Sequence, residues 1–74
     1  MTELTVYSVI ITYGDYTQDL DNIYPSEESA IKSARMRLSQ PDIIEVQVNK
    51  DAVTEQFGRS WKKTVYRETK QALG

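Results

Sequence analysis

Pro25-Ser26-Glu27-Glu28-Ser29-Ala30-Ile31-Lys32-Ser33-Ala34-Arg35-Met36-Arg37-Leu38-Ser39-Gln40-Pro41 is the stretch around which the remaining chain arranges itself. Ser26 is placed to accept a hydrogen bond from a first-turn amide, and Glu27 and Glu28 put negative charge at the positive end of the helix dipole. Arg35 and Arg37 sit near the opposite pole, and Pro41 bars continuation. Ile31, Ala34 and Leu38 recur at three- and four-residue spacing with Ala30 beside them, so the predicted helix carries one narrow apolar stripe. Such a helix needs a sheet to lie on.

The flanking segments supply strands. Leu4 to Tyr13 is rich in β-branched and aromatic residues, and both alternating sets contain apolar members: Tyr7, Val9, Ile11 and Tyr13 against Leu4, Val6 and Ile10. That pattern predicts an inner strand. Gly14-Asp15 reads as a tight turn with Gly14 at positive φ, and Tyr16 to Tyr24 as a more polar outer strand whose Asp19 and Asp21 oppose edge-to-edge association. Beyond the helix, Ile43 to Asn49 alternates, with Ile44, Val46 and Val48 facing one way and Ile43, Glu45 and Gln47 the other. Lys50 to Gly58 shows no clean period and reads as a loop.

Arg59 to Arg67 alternates again, placing Trp61, Lys63 and Val65 on one face, with Trp61 expected in the core, and Ser60, Lys62, Thr64 and Tyr66 on the other. Glu68 to Gly74 is expected to fray. The order is β-β-α-β-β: one small α+β domain over residues 1–74, ordered from about 4 to 67, with one helix packed on a mainly antiparallel sheet. A single helix covers only part of four strands, so some of Tyr7, Tyr13, Tyr16, Tyr24 and Tyr66 are expected on the open face.

Composition narrows the function. The chain has 74 residues, 39% hydrophobic and 27% charged, with no cysteine and no histidine. A chain of this size buries only roughly 60% of the surface it exposes when unfolded, which leaves room for one core. The missing cysteine and histidine remove disulfides, thiolate catalysis, the usual zinc ligands and the usual acid–base group near neutral pH. Asp15, Asp19 and Asp21 lie close in sequence, but the segment lacks the central glycine and terminal glutamate of a calcium loop, and two aspartates on an outer strand read as edge protection. Gly14, Gly58 and Gly74 are too far apart for a phosphate-cradling loop. No catalytic residue, metal site or cofactor is expected, and the chain reads as non-enzymatic.

No run reaches the roughly 18 to 20 apolar residues of a membrane span, and the N-terminus lacks the pattern of a secretory leader. The cytoplasm is the expected location, with no membrane partner. The net charge of −2 is unevenly spread: residues 1–30 carry six acids and no base, whereas residues 31–74 carry nine bases against five acids, a balance of +4. The two halves are expected either to meet, acidic hairpin beside basic strand, or to be solvated.

These readings point to a non-catalytic module that binds a protein partner, with a homodimer as one form of that association. The small size, acidity and missing catalytic set suit accessory proteins of phages and mobile elements, including inhibitors that cover a host protein's surface. The alternative is nucleic-acid binding through the C-terminal strand, where Arg59, Lys62, Lys63 and Arg67 interleave with Trp61 and Tyr66. The candidate interaction surface comprises Arg59, Lys62, Lys63, Tyr66, Arg67, Tyr7 and Tyr13. For a strand that alternates regularly, a nucleic-acid site would use the Lys62 and Tyr66 face and leave Trp61 inside.

Overall fold

The computed structural model describes residues 3–70. Four strands and one helix follow in the expected order: β1 (Leu4–Tyr13), β2 (Gln18–Tyr24), α1 (Glu27–Leu38), β3 (Ile43–Thr54) and β4 (Gly58–Thr69). They form one antiparallel sheet in the spatial order β2-β1-β3-β4. Because β2 and β3 are both antiparallel to β1, they run the same way. The chain therefore needs a crossover between them, and α1 provides it. No helix among the described residues is long and apolar enough to cross a membrane.

The helix forms for the reasons visible in its sequence. Ser26 is extended (φ −129°, ψ 148°), and its Oγ accepts from the Ser29 amide at 3.3 Å. Ser39 closes the other end, its Oγ donating to the Met36 carbonyl at 2.6 Å. Ala30, Ala34 and Leu38 are buried, and Ile31 is half-buried. Two alanines in the contact stripe let the backbone approach the sheet closely.

The helix and the sheet differ in length. Twelve helical residues span about 18 Å, whereas the 12 residues of β3 or β4 span about 40 Å. The chain enters α1 just after Tyr24, which pairs with Tyr7, and leaves it just before Ile43, which pairs with Tyr13. Six residues of β1 separate those levels, roughly 20 Å, which the helix matches. The core of Val9, Ile11, Ala30, Ala34, Leu38, Ile43, Val46 and Val48 lies inside this window. The start of β1, the end of β3 and the start of β4 project beyond it without a helix.

Several expectations are corrected by bulges. Thr12 pairs with Glu45 and Tyr13 with Ile43, so an extra residue sits at that end of β3, and Ile43 joins Val46 and Val48 in the core instead of facing away from them. In β4 the pairings Val48–Tyr66, Asn49–Thr64, Lys50–Lys63 and Asp51–Trp61 skip Val65 and Lys62. Each skip reverses the alternation once. The skip at Lys62 sets Trp61 on the opposite face from Lys63, away from the helix, where it is 63% exposed, whereas Tyr66, paired with Val48, packs against the core together with Val65.

Residues 50–54 are not a loop but the second half of β3, and the turn is only Glu55-Gln56-Phe57. Gly58 carries the positive φ (65°) that ends this turn. In the first hairpin the positive φ belongs to Tyr16 (68°) and not to Gly14, whose amide donates to the Asp42 carbonyl at 2.9 Å. β2 consequently begins at Gln18, two residues later than expected. Glu68 and Thr69 belong to β4, and the Lys70 amide donates to the Ile44 carbonyl at 2.8 Å. Of the expected frayed tail, residues 71–74 lie outside the described residues.

Candidate functional site

Register sorts the side chains into two faces. On the helix side lie Tyr7, Val9, Ile11 and Tyr13 of β1, with Tyr24 of β2 opposite Tyr7. Tyr7, Tyr13, Tyr24 and Tyr66 all pack against the core, and Tyr16 sits exposed in the turn. The expectation that tyrosines furnish the open face is therefore overturned: an uninterrupted β1 keeps its tyrosines in phase with Val9 and Ile11, and Tyr24 and Tyr66 pair into the same phase.

The open face is built instead from the other phase. Leu4, Val6, Ile10, Leu20 and Ile23 form a stripe along β1 and β2, broken only by Ser8, and Trp61 stands across Asp51 on β4. Leu4, Leu20, Ile23 and Trp61 are 40 to 63% exposed, and no described element covers them.

Beside the apolar stripe, β3 and β4 carry a polar network that is satisfied internally. Thr64 Oγ1 donates to Asn49 Oδ1 at 2.8 Å, and Gln47 Nε2 donates to Asn49 Oδ1 at 2.8 Å and to Thr64 Oγ1 at 3.0 Å. Arg67 donates to Glu45 Oε1 from Nη2 at 3.0 Å and from Nε at 3.1 Å, with Thr69 Oγ1 on the same oxygen. Asp51 is 4% exposed, accepts from Ser8 Oγ at 2.8 Å and lies 3.6 Å from Arg59 Nε. Among the described residues no buried side-chain nitrogen or oxygen lacks a partner. Arg59 and Arg67 thus have carboxylates of their own.

Of the two arrangements expected for the acidic hairpin and the basic strand, the first is not found: they do not meet. β2 and β4 occupy opposite edges, roughly 14 Å apart across three inter-strand spacings. The β4 arginines pair with β3, and Asp21 of β2 pairs with Arg37 of α1 at 2.7 Å. That contact raises the Arg37 pKa above its ordinary value, chiefly through the hydrogen bond from its guanidinium to Asp21. On the helix side, Tyr66 donates its hydroxyl proton to Glu68, and this hydrogen bond raises the phenol's pKa.

The lysines lie elsewhere. On the helix side Lys50 and Lys63 face each other directly across β3 and β4, in the row that continues through Tyr7 to Tyr24. Lys62 is the extra residue of the adjacent bulge. These three lysines, with Glu3, Thr5, Asp51 and Ala52, line a concavity of about 300 Å³. A second concavity of about 270 Å³ shares Glu3, Ala52 and Lys62 with it and extends to Phe57, which is 73% exposed at the hairpin turn. A larger hollow of about 800 Å³ runs along the outer side of α1, lined by Ile31, Met36 and charges of both signs. It collects no convergent chemistry.

The seven candidate residues therefore do not make one surface. Arg59 and Arg67 lie on the open face, Lys62 and Lys63 at the projecting end of the helix side, and Tyr7, Tyr13 and Tyr66 against the core. Leu4, Leu20, Ile23 and Trp61 of the open face, and Lys50 and Phe57 of the projecting end, are brought forward only by the fold. Of the first set, Leu4 is visible in the sequence, with Val6 and Ile10, as an apolar residue in the other phase of β1, whereas Leu20, Ile23 and Trp61 are set there by strand pairing. The second lies in the segment without a period. Asp15, Asp19 and Asp21 do not converge: Asp15 accepts from Thr17 N at 3.1 Å and from Thr17 Oγ1 at 2.6 Å, and Asp21 is held by Arg37. Among the described residues no three acidic side chains are grouped to hold a metal ion. No protein-family model, no curated protein and no solved structure matches the chain.

Proposed function

We propose that the protein is a non-catalytic module that binds another protein through the open face of its sheet. The observation that carries this reading is the uncovered stripe of Leu4, Leu20 and Ile23 with Trp61 beside it. Exposed apolar residues gathered on one face among polar ones mark association surfaces, and tryptophan is among the residues enriched where binding energy concentrates. The neighbouring network of Gln47, Asn49 and Thr64 is already bonded within the chain, so a partner meets a preorganised margin. Its polar groups would not have to find new partners on binding.

The test compares affinity capture by the unaltered protein with capture by Leu20→Ser, by Trp61→Ser, and by Lys32→Gln on the outer side of α1. A partner retained by the unaltered protein and by K32Q, but lost from both open-face variants, supports the reading. A second copy of the chain is one such partner, and sedimentation velocity identifies it through a dimer that both variants abolish. Retention of every partner by L20S and W61S, or turnover in a substrate screen, overturns it.

A further inference from the structure

We propose that the projecting end of the β3–β4 hairpin, on the helix side, is a binding groove for single-stranded nucleic acid. Two features there are unexplained by the fold. Lys50 and Lys63 are directly opposed across the strands, an arrangement that destabilises a sheet unless an anion relieves it, and Lys62 is brought beside them by a bulge. Among the described residues the ion pairs are those of Arg37, Arg59 and Arg67, and none involves these lysines. The second feature is Phe57, an exposed aromatic ring in a turn where it packs on no core.

Both features line the same trough. Its two concavities share Ala52 and Lys62, and its floor is made from the small side chains of Thr5, Ala52 and Ser60, which pair across β1, β3 and β4. From Lys50 to Thr54 the trough runs about 14 Å along β3. Ammonium groups at one end and a free aromatic face at the other match a strand of alternating phosphates and bases: the lysines neutralise phosphates, and a base stacks on Phe57. Duplex nucleic acid offers no free base to that ring.

The surrounding charges fit a path along β4. Glu3 is a carboxylate on the β1 rim, which repels a phosphate on that side and leaves the lysine rim open. Asp51 also lines the hollow, but its carboxylate is turned to Ser8 and Arg59 on the opposite face. Of the six acids of residues 1–30 only Glu3 lines the trough, and Asp19 and Asp21 lie on β2 at the far edge of the sheet. The groove is physically separate from the open face, so the two surfaces can be tested independently.

The experiment is a fluorescence-anisotropy titration of labelled 12-mer oligothymidylate and oligouridylate over a range of salt. Three phosphate contacts on a single strand predict a slope of log affinity against log salt of about −2, and so a roughly twenty-fold loss of affinity between 50 and 200 mM salt. Lys63→Gln should reduce that slope by about 0.7, as should Lys50→Gln, while Lys32→Gln, the same charge change on α1, leaves it unaltered. Phe57→Ser should lower affinity roughly five-fold or more with the slope unchanged.

Each variant is checked by circular dichroism for an unchanged fold. Absence of binding to both oligomers at tens of micromolar protein in low salt overturns the proposal. So does tighter binding to duplex than to single strand, or equal competition by polyglutamate of matched charge, which would assign the trough to acidic proteins.

Discussion

Replacing Trp61 with Ser separates folding from recognition, because the ring lies on the sheet yet outside the core. Tryptophan buries up to about 250 Å² when fully enclosed. With 63% of its surface exposed, about 90 Å² is covered. At about 25 cal/mol per Å² that is a ceiling of about 2 kcal/mol, and a compact unfolded state lowers it toward 1. Ile11→Ala provides the internal comparison: Ile11 is 1% exposed, pairs with Val46 under the helix, and its truncation should cost about 2 to 5 kcal/mol. Urea denaturation followed by far-ultraviolet circular dichroism measures both. W61S should lower the midpoint less than I11A does. Because Trp61 is the sole tryptophan, its fluorescence gives a second reading on the unaltered protein: emission near that of exposed indole, readily quenched by iodide. A cost above about 3 kcal/mol for W61S, or a blue-shifted emission protected from iodide, would refute the placement of Trp61 on the open face and the interface built on it.

Gly58→Ala should cost about 1 kcal/mol because its φ of 65° is left-handed, whereas Gly14→Ala should be nearly neutral, its added Cβ meeting only the Asp42 carbonyl at 3.9 Å; chemical denaturation of both variants checks the contrast. Ser26→Ala removes the side-chain acceptor of the Ser29 amide and should cost about 0.5 to 2 kcal/mol, read as a lower thermal midpoint with unchanged strand content. Asp15 accepts two hydrogen bonds from Thr17, which depress its pKa below the ordinary carboxylate value. The stability this contributes is complete above that ordinary value and is lost as pH falls through the depressed one. Asp15→Ala should therefore be less stable than the unaltered protein at pH 7, with the difference shrinking as pH falls through the depressed value, as thermal melts across the acid range will show.

The helix, the first strand and the element order were legible in the sequence because each rests on a local rule that the fold does not override. Ser26, the alanine stripe and Pro41 bound α1, and the β-branched run from Leu4 to Tyr13 pairs on both sides as an inner strand must. What remained hidden depends on pairing. Alternation assumes one residue opposite one residue, and the extra residues at Lys62 and Val65 violate that assumption twice within β4. A reading in strict period that carries Val65 inward sends Trp61 inward with it, whereas the extra residue at Lys62 turns it out. Lys50 to Thr54 lacks an apolar alternation because no helix covers that end, so neither face needs a core set, and the absence of a period there reflects position and not a loop. Tyr16 took the left-handed turn position that composition assigns to Gly14, since Asp15 and Thr17 close the turn around it. The candidate site was half legible: the basic and aromatic composition of β4 stands out, but its division between two faces does not.

The unequal lengths of helix and sheet also set how the molecule opens. Amides of β3 between Val46 and Val48 are shielded by α1 and flanked by strands on both sides, so their hydrogen exchange requires unfolding of the whole domain. Those from Asp51 to Thr54 and from Gly58 to Lys62 have pairing but no helix above them, and they can exchange through separation of the hairpin end alone. Protection should therefore fall along each long strand from the helix toward the turn, giving one chain a rigid base and a yielding tip. Phe57 and Trp61, large apolar side chains 73% and 63% exposed, sit on the yielding portion. Substitutions there alter what the surface recognises while the clamped half keeps the domain folded.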